Sequence, residues 1–189
     1  MDGWNGERQI GERIEDIEIK HVERYLFARR YSRDRSVLDA ACGCGYGSNI
    51  LSKEADTVLG VDYSQEAIDY AEKYWIAENI SFQRFDLNTD LTPLGNFDVI
   101  VSFETIEHLD TPIFETCQKF YNILYSGGLL VLSHPEKEEK SSASAFHKHF
   151  NIKGDEVKKM MIDIGFYIEN EWYQPGRFHF PYHLIVGRK

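Results

Sequence analysis

An alternation constrains this chain more than any other feature. Five times a short apolar run ends and a stretch with helical spacing begins. The runs are SVLDAA (36–41), TVLGVD (57–62), ISFQRFD (80–86), FDVIVSF (97–103) and GGLLVLS (127–133). Ile14, Ile17, Val22, Tyr25 and Leu26 form a stripe near period 3.6, which predicts a helix over Ile14–Tyr31. A helix starts at Gly47 and runs to Lys53. Another covers Gln65–Trp75, with Ser64 as its N-cap. Thr111-Pro112 opens a further one, proline taking its first position. Strands linked in this way form a parallel sheet covered by helices on both faces. The end of the chain differs. A helix near Gly154–Ile164 precedes GFYIENEWY and RFHFPYHLIVGRK, two strands joined tightly through QPG, which predicts an antiparallel edge pair. The expected architecture is a doubly wound α/β fold with a mostly parallel seven-stranded sheet and an antiparallel C-terminal hairpin. It forms a single domain, 1–189, in which 1–35 supply an N-terminal helix and lid. The polar stretch 135–145 reads either as a mobile loop over the site or as a plain surface loop.

Composition excludes several classes. The chain has 189 residues, enough for one sizeable core, with ordinary hydrophobic (42%) and charged (28%) fractions. No apolar run approaches the roughly 18 residues of a membrane span, and the N-terminus lacks the apolar core of a signal peptide. Cys42, Cys44 and Cys117 are too few for a disulfide framework and suit a reducing cytoplasm. A net charge of −10 disfavours nucleic-acid partners, although RRYSRDR (29–35) is locally basic.

The sharpest local signal is VLDAACGCGYG, Val37–Gly47, between the first strand and its helix. In open α/β sheets ligands bind at this carboxyl end. Glycines permit a sharp turn and close approach of a ligand. The dinucleotide fingerprint G-x-G-x-x-G fails, because its third glycine falls on Ser48, and the G-K-[ST] of a P-loop is absent.

With these residues in place, the sequence resembles the class I S-adenosylmethionine-dependent methyltransferases. Their first motif, D-x-[GA]-x-G-x-G-x-G, is matched by Asp39, Ala41, Gly43, Gly45 and Gly47. Asp62 ends the second strand, Asp86 ends the third in RFDL, and FDVIVSFETIEHL and LYSGGLLVLS follow in the family's order. The resemblance spans roughly residues 6–170 and implies a Rossmann-like methyltransferase fold. It also implies S-adenosylmethionine as cofactor and S-adenosylhomocysteine as product. Acids then suit a cationic sulfonium ligand. Asp39 holds the loop and the ammonium end, while Gly43 and Gly45 offer backbone to the methionine moiety. Asp62 takes the ribose hydroxyls, Tyr63 lies along the adenine, and Phe85, Asp86, Leu87 and Phe103 complete the cofactor site. Small side chains at Cys42 and Cys44 are what fits in such a loop.

Acceptor-side candidates follow the fourth and fifth strands. Glu104, Glu107 and His108 in E-x-x-E-H share one face if the turn is helical. His108, Glu104 and His147 are the expected catalytic groups, with His134 and His149 as other candidate bases. Two carboxylates and an imidazole suit a divalent metal, as in methyltransferases acting on RNA ribose ends or quinol precursors, but no metal site is assigned. Trp4, Tyr25, Trp172 and Phe178 are candidate lining aromatics. A finer resemblance joins GERQIGERIEDIEIKHVERYLFARRY and Phe146-His147 to small bacterial methyltransferases associated with glycan biosynthesis, though the usual preceding Asn-Pro is absent. That resemblance implies O-methylation of a saccharide or small metabolite, with a homo-oligomer possible. The alternatives are metal-assisted methylation of an RNA ribose or quinol hydroxyl, and a non-catalytic S-adenosylmethionine-binding regulatory protein.

Overall fold

The computed structural model describes residues 9–137, 139, 146–176 and 180–189. Trp4, Phe178 and the part of loop 135–145 comprising 138 and 140–145 lie outside them. Seven strands form one sheet in the order β3-β2-β1-β4-β5-β7-β6. No described helix is long and apolar enough to cross a membrane. The chain divides into two compact units, Met1–Asp86 and Leu87–Lys189.

In the first unit, β1 (Ser36–Ala40), β2 (Thr57–Asp62) and β3 (Ile80–Arg84) run parallel, with Val37 opposite Val58 and Val58 opposite Ile80. Val37, Leu38, Val58 and Val61 are buried, as strands sandwiched between helices require. The helices are α1 (Ile19–Arg29), α2 (Tyr46–Leu51) and α3 (Gln65–Tyr74). Ser64 caps α3 by accepting from Ala67 N–H at 3.4 Å. The continuous helix expected over 14–31 is interrupted. Ile14–Asp16 form a 3-10 turn in which the Asp16 carboxylate accepts the Arg13 N–H at 3.2 Å, and Ile17 is extended before α1 begins. A short acid that bonds nearby backbone competes with the helix there.

In the second unit, β4 (Phe97–Phe103) and β5 (Leu124–Pro135) are parallel, and β7 (Tyr182–Arg188) pairs antiparallel with both β5 and β6 (Tyr167–Gln174). Helices α4 (Ile113–Ile123) and α5 (Gly154–Ile164) accompany them. Pro112 is the residue before α4 rather than its first. β5 outruns the expected 127–133 at both ends, because Leu124 pairs Phe97 and the β7 ladder continues to Pro135–Tyr182. The antiparallel ladder of β6 and β7 runs as far as Gln174–Tyr182; the connection through 177–179 lies outside the described residues. Val99, Ile100, Val101 and Leu129–Leu132 are fully buried. Each such side chain contributes roughly 1.5–3 kcal/mol.

Candidate functional site

In the first unit, β1 carries Asp39 to the sheet's carboxyl end. Asp39 is wholly buried; its Oδ1 accepts the Tyr25 hydroxyl at 3.1 Å and its Oδ2 the Ser48 hydroxyl at 2.6 Å. The motif's aspartate therefore fastens α1 and α2 to the end of β1. Burial raises its pKa to about 7, against the two hydroxyl bonds that lower it, and Asp62 adds to the rise. Tyr25, expected among acceptor-lining aromatics, is instead buried, its ring filling the space beside Gly47.

The loop's glycines have different reasons. A Cβ on Gly45 (φ +90°) would lie 2.5 Å from Ala71 Cβ and 2.9 Å from Phe82 Cζ, so Gly45 lets the loop pack on α3 and β3. Gly43 (φ +55°) has nothing within 4 Å of its Cβ position, so it presents backbone to open space. Its N–H donates to Asp62 Oδ2 at 3.0 Å, while Asp62 Oδ1 accepts the Ser64 N–H at 2.9 Å. Asp62 thus ties the glycine loop to the start of α3. A carboxylate has about four lone-pair sites, so these bonds are compatible with ribose hydroxyls as further donors. Ala41 is also left-handed (φ +65°). Phe85 and Asp86 are half-buried, and the Phe85 N–H donates to the Asp62 carbonyl at 2.9 Å. Tyr63 is exposed, with the Arg84 guanidinium 5.5 Å from its ring centroid and Arg84 Nε donating to its carbonyl. Cys42 and Cys44 are buried.

In the second unit Leu87 and Phe103 are buried. The E-x-x-E-H segment is not helical at its start. Glu104 is left-handed (φ +49°), a conformation costing a non-glycine residue about 1 kcal/mol. It is held there by Ser133, whose hydroxyl donates to Glu104 Oε1 at 2.6 Å and whose carbonyl accepts the Glu104 N–H at 3.2 Å. The face expected to join Glu104, Glu107 and His108 therefore does not form. Among the described residues the donors that converge are Glu107, His108 and His147, all within 4.8 Å of one another.

Glu107 is 1% exposed. The His108 and His147 rings meet edge to face at 4.6 Å. His108 Nδ1 lies 3.4 Å from the Phe146 carbonyl and its Nε2 3.9 Å from Glu107 Oε1. Burial pushes the His147 pKa down, favouring its neutral form. Lys148 and His149 N–H both donate to the Glu107 carbonyl, at 2.6 and 3.0 Å, which fastens 146–149 to the turn. A carboxylate with two imidazoles is a donor set suited to a divalent transition metal.

The other candidate bases are engaged elsewhere. His134 is buried on β5, its Nε2 3.0 Å from His183 Nδ1; His183 Nε2 is 3.0 Å from Glu171 Oε1, and Glu171 pairs with Lys158. Burial pushes His134 down to about 4. His149 Nε2 lies 3.2 Å from the Thr111 carbonyl. Trp172 is half-buried on β6. The sequence reading missed Ser48, Ser133 and His183, whose roles depend on which strands become neighbours.

Residues 37–128 match the model of a family described as a methyltransferase domain. The match runs from the start of β1 through the glycine loop, Asp62 and the E-x-x-E-H turn into β5.

Over residues 37–128 the chain is thus similar to a methyltransferase domain.

S-adenosylmethionine is a ligand that the glycine loop and acids of the first unit suit, and relatives of this chain are named for their dependence on it. The chain is 31% identical over 173 residues to a "Probable S-adenosylmethionine-dependent methyltransferase" of Mycobacterium tuberculosis, covering 82% of this chain and 60% of that one. It is 30% identical over 116 residues to a ubiquinone biosynthesis O-methyltransferase of Coxiella burnetii, covering 59% and 48%. The chain thus spans about half to three-fifths of the length of these curated relatives. The N-methyltransferase NodS of Bradyrhizobium japonicum, solved with S-adenosyl-L-homocysteine, shares the fold with a TM-score of 0.73 at 16% identity, over 90% of this chain and 86% of that one.

Proposed function

We propose that this chain is a methyltransferase that transfers the methyl group of S-adenosylmethionine to a hydroxyl of a saccharide or small metabolite, in the assembly of a surface glycan. The observation that carries the reading is the convergence of Glu107, His108 and His147 in the second unit. Methyl transfer forms an oxygen–methyl bond as the sulfur–methyl bond breaks and its electron pair returns to sulfur. Much of the rate comes from holding the reacting atoms in line. A hydroxyl acceptor must also lose its proton, and His108 Nε2 is the nitrogen to receive it. Glu107 stabilises the imidazolium formed, His147 orients the ring it abuts, and Glu104 fixes the acceptor. In the first unit Asp62 holds the ribose, Gly43 and Gly45 border the methionine tail, and Asp39 keeps the loop in shape. Tyr63, Phe85, Asp86, Leu87 and Phe103 surround the adenine and the sulfur end. The glycan assignment draws on the likeness of the N-terminal segment and Phe146-His147 to glycan-associated methyltransferases.

A second reading draws on the same three donors: Glu107, His108 and His147 hold a divalent ion that polarises the acceptor hydroxyl, which is then an RNA ribose or a quinol. The similarity to a ubiquinone biosynthesis O-methyltransferase favours the quinol.

The test is calorimetric titration with S-adenosylhomocysteine, with and without Mg²⁺, followed by an acceptor screen starting with nucleotide-linked sugars. Micromolar binding with turnover on a saccharide, unaffected by chelator, supports the first reading. Turnover on a quinol abolished by chelator and restored by metal supports the second. Absence of binding refutes both.

A further inference from the structure

Segment 87–89, directly after Asp86, is folded around the side chain of Lys119 on α4. Lys119 Nζ donates to the carbonyls of Leu87 (2.9 Å), Asn88 (3.0 Å) and Thr89 (3.1 Å), with Thr111 Oγ1 at 3.4 Å. An ammonium has three donors, so this turn is shaped as a cation would shape it. The Asn88 side chain then reaches across the unit. Its Oδ1 accepts the N–H of Asp110 at 2.8 Å and of Thr111 at 3.1 Å, at the far end of the E-x-x-E-H turn.

The connection continues to the acceptor side. The Thr111 carbonyl faces His149 Nε2 at 3.2 Å, and Lys148 pairs with Asp110 at 3.1 Å. The backbone N–H groups of Lys148 and His149 close on the Glu107 carbonyl, and the Phe146 carbonyl lies against His108 Nδ1. One asparagine and one lysine therefore join the segment holding Leu87 to the turn and loop that carry His108 and His147. None of these connecting residues lies in a strand ladder.

We propose that Asn88, clamped by Lys119, is a positioning residue that passes occupancy of the adenine side to the acceptor-side histidines, so that bound cofactor sets the acceptor site. The proposal rests on the cofactor reading above. Linkage makes it reciprocal: whatever orders 146–149 tightens cofactor binding by the same factor.

Hydrogen exchange of the full chain with saturating S-adenosylhomocysteine tests it, with amides of 41–47 reporting cofactor binding and those of 104–111 and 146–149 reporting transmission. In the wild type, exchange at 104–111 and 146–149 slows by about fivefold or more. Asn88→Ala and Lys119→Met lose that slowing while 41–47 remain protected. Asn88→Asp, which keeps an acceptor oxygen, retains it. Asn88→Ala or Lys119→Met transmitting as well as the wild type overturns the proposal, as does a wild type protected at 41–47 and unchanged at 146–149. A wild type with no protection at 41–47 refutes the cofactor reading itself.

Discussion

The two units build their chemistry in opposite ways. The first uses strand ends and backbone: Gly43 offers an N–H beside Asp62, and a buried carboxylate, Asp39, holds the loop through two hydroxyls. The second uses side chains from separate irregular segments, with Glu107 and His108 on one turn, His147 on another, and Ser133 restraining Glu104 from a neighbouring strand. A backbone cradle is set by local sequence and tolerates little change. A side-chain cluster is set by tertiary neighbours and is where one fold acquires different acceptors.

The contrast is sharpest at His108. Once an acceptor is found, His108→Ala is expected to lower turnover by about 10²–10⁴-fold with cofactor affinity nearly intact. Full activity would move the proton acceptor to His147 or to the substrate. Asp62→Ala does the reverse and weakens S-adenosylhomocysteine by about 100-fold in calorimetry, because a charged acceptor of ribose hydroxyls and the anchor of Gly43 go together. Unchanged affinity would show that the ribose is held elsewhere.

The glycines divide the first unit further. Gly45→Ala meets Ala71 and Phe82 at left-handed φ, and is expected to cost about 2–3 kcal/mol in denaturant unfolding. Gly43→Ala meets open space. It is expected to cost about 1 kcal/mol of stability and to show mainly as weakened cofactor binding.

The pH dependence of stability also separates the units, because its sign differs between them. Asp39, raised from 3.8 to about 7, binds a proton in the folded state that the unfolded chain has lost, so its contribution to stability falls as pH rises from about 4 to 7. His134, lowered from 6.5 to about 4, stays neutral where the unfolded chain is protonated. Its contribution is complete above 6.5 and is lost as pH falls toward 4. Urea midpoints across pH 4–7 should therefore steepen upward with pH in Asp39→Asn and flatten in His134→Asn. Identical slopes in both variants would show that neither group governs the profile.

What the sequence disclosed follows the same division. β2, β4 and α5 were legible to the residue, because their apolar runs or spacing end in clear stop signals. The sharp turn at Gly43 and Gly45 and the place of Asp62 at the end of β2 were legible because backbone conformation and residue type are linked within a few positions. The helix over 14–31 was overdrawn, since periodicity passes through Ile17 while Asp16 bonds the backbone before it. Grouping Glu104 with His108 assumed a helical turn, and the pairing of β4 with β5 put Ser133 beside Glu104 instead. That His134 would be occupied by His183 depended on the antiparallel register of β5 and β7, which places them opposite each other.

The three thiols have a practical consequence. Cys42 and Cys44 sit in the glycine loop and Cys117 on α4, all buried; burial pushes Cys117 up to about 12 and Cys42 well above its usual range. Alkylating reagents attack the thiolate, so each cysteine reacts only while its surroundings are open. Mass spectra of the alkylated chain therefore form a clock with two hands. Species carrying two labels mark excursions of the loop alone, and species carrying three mark loss of the whole core.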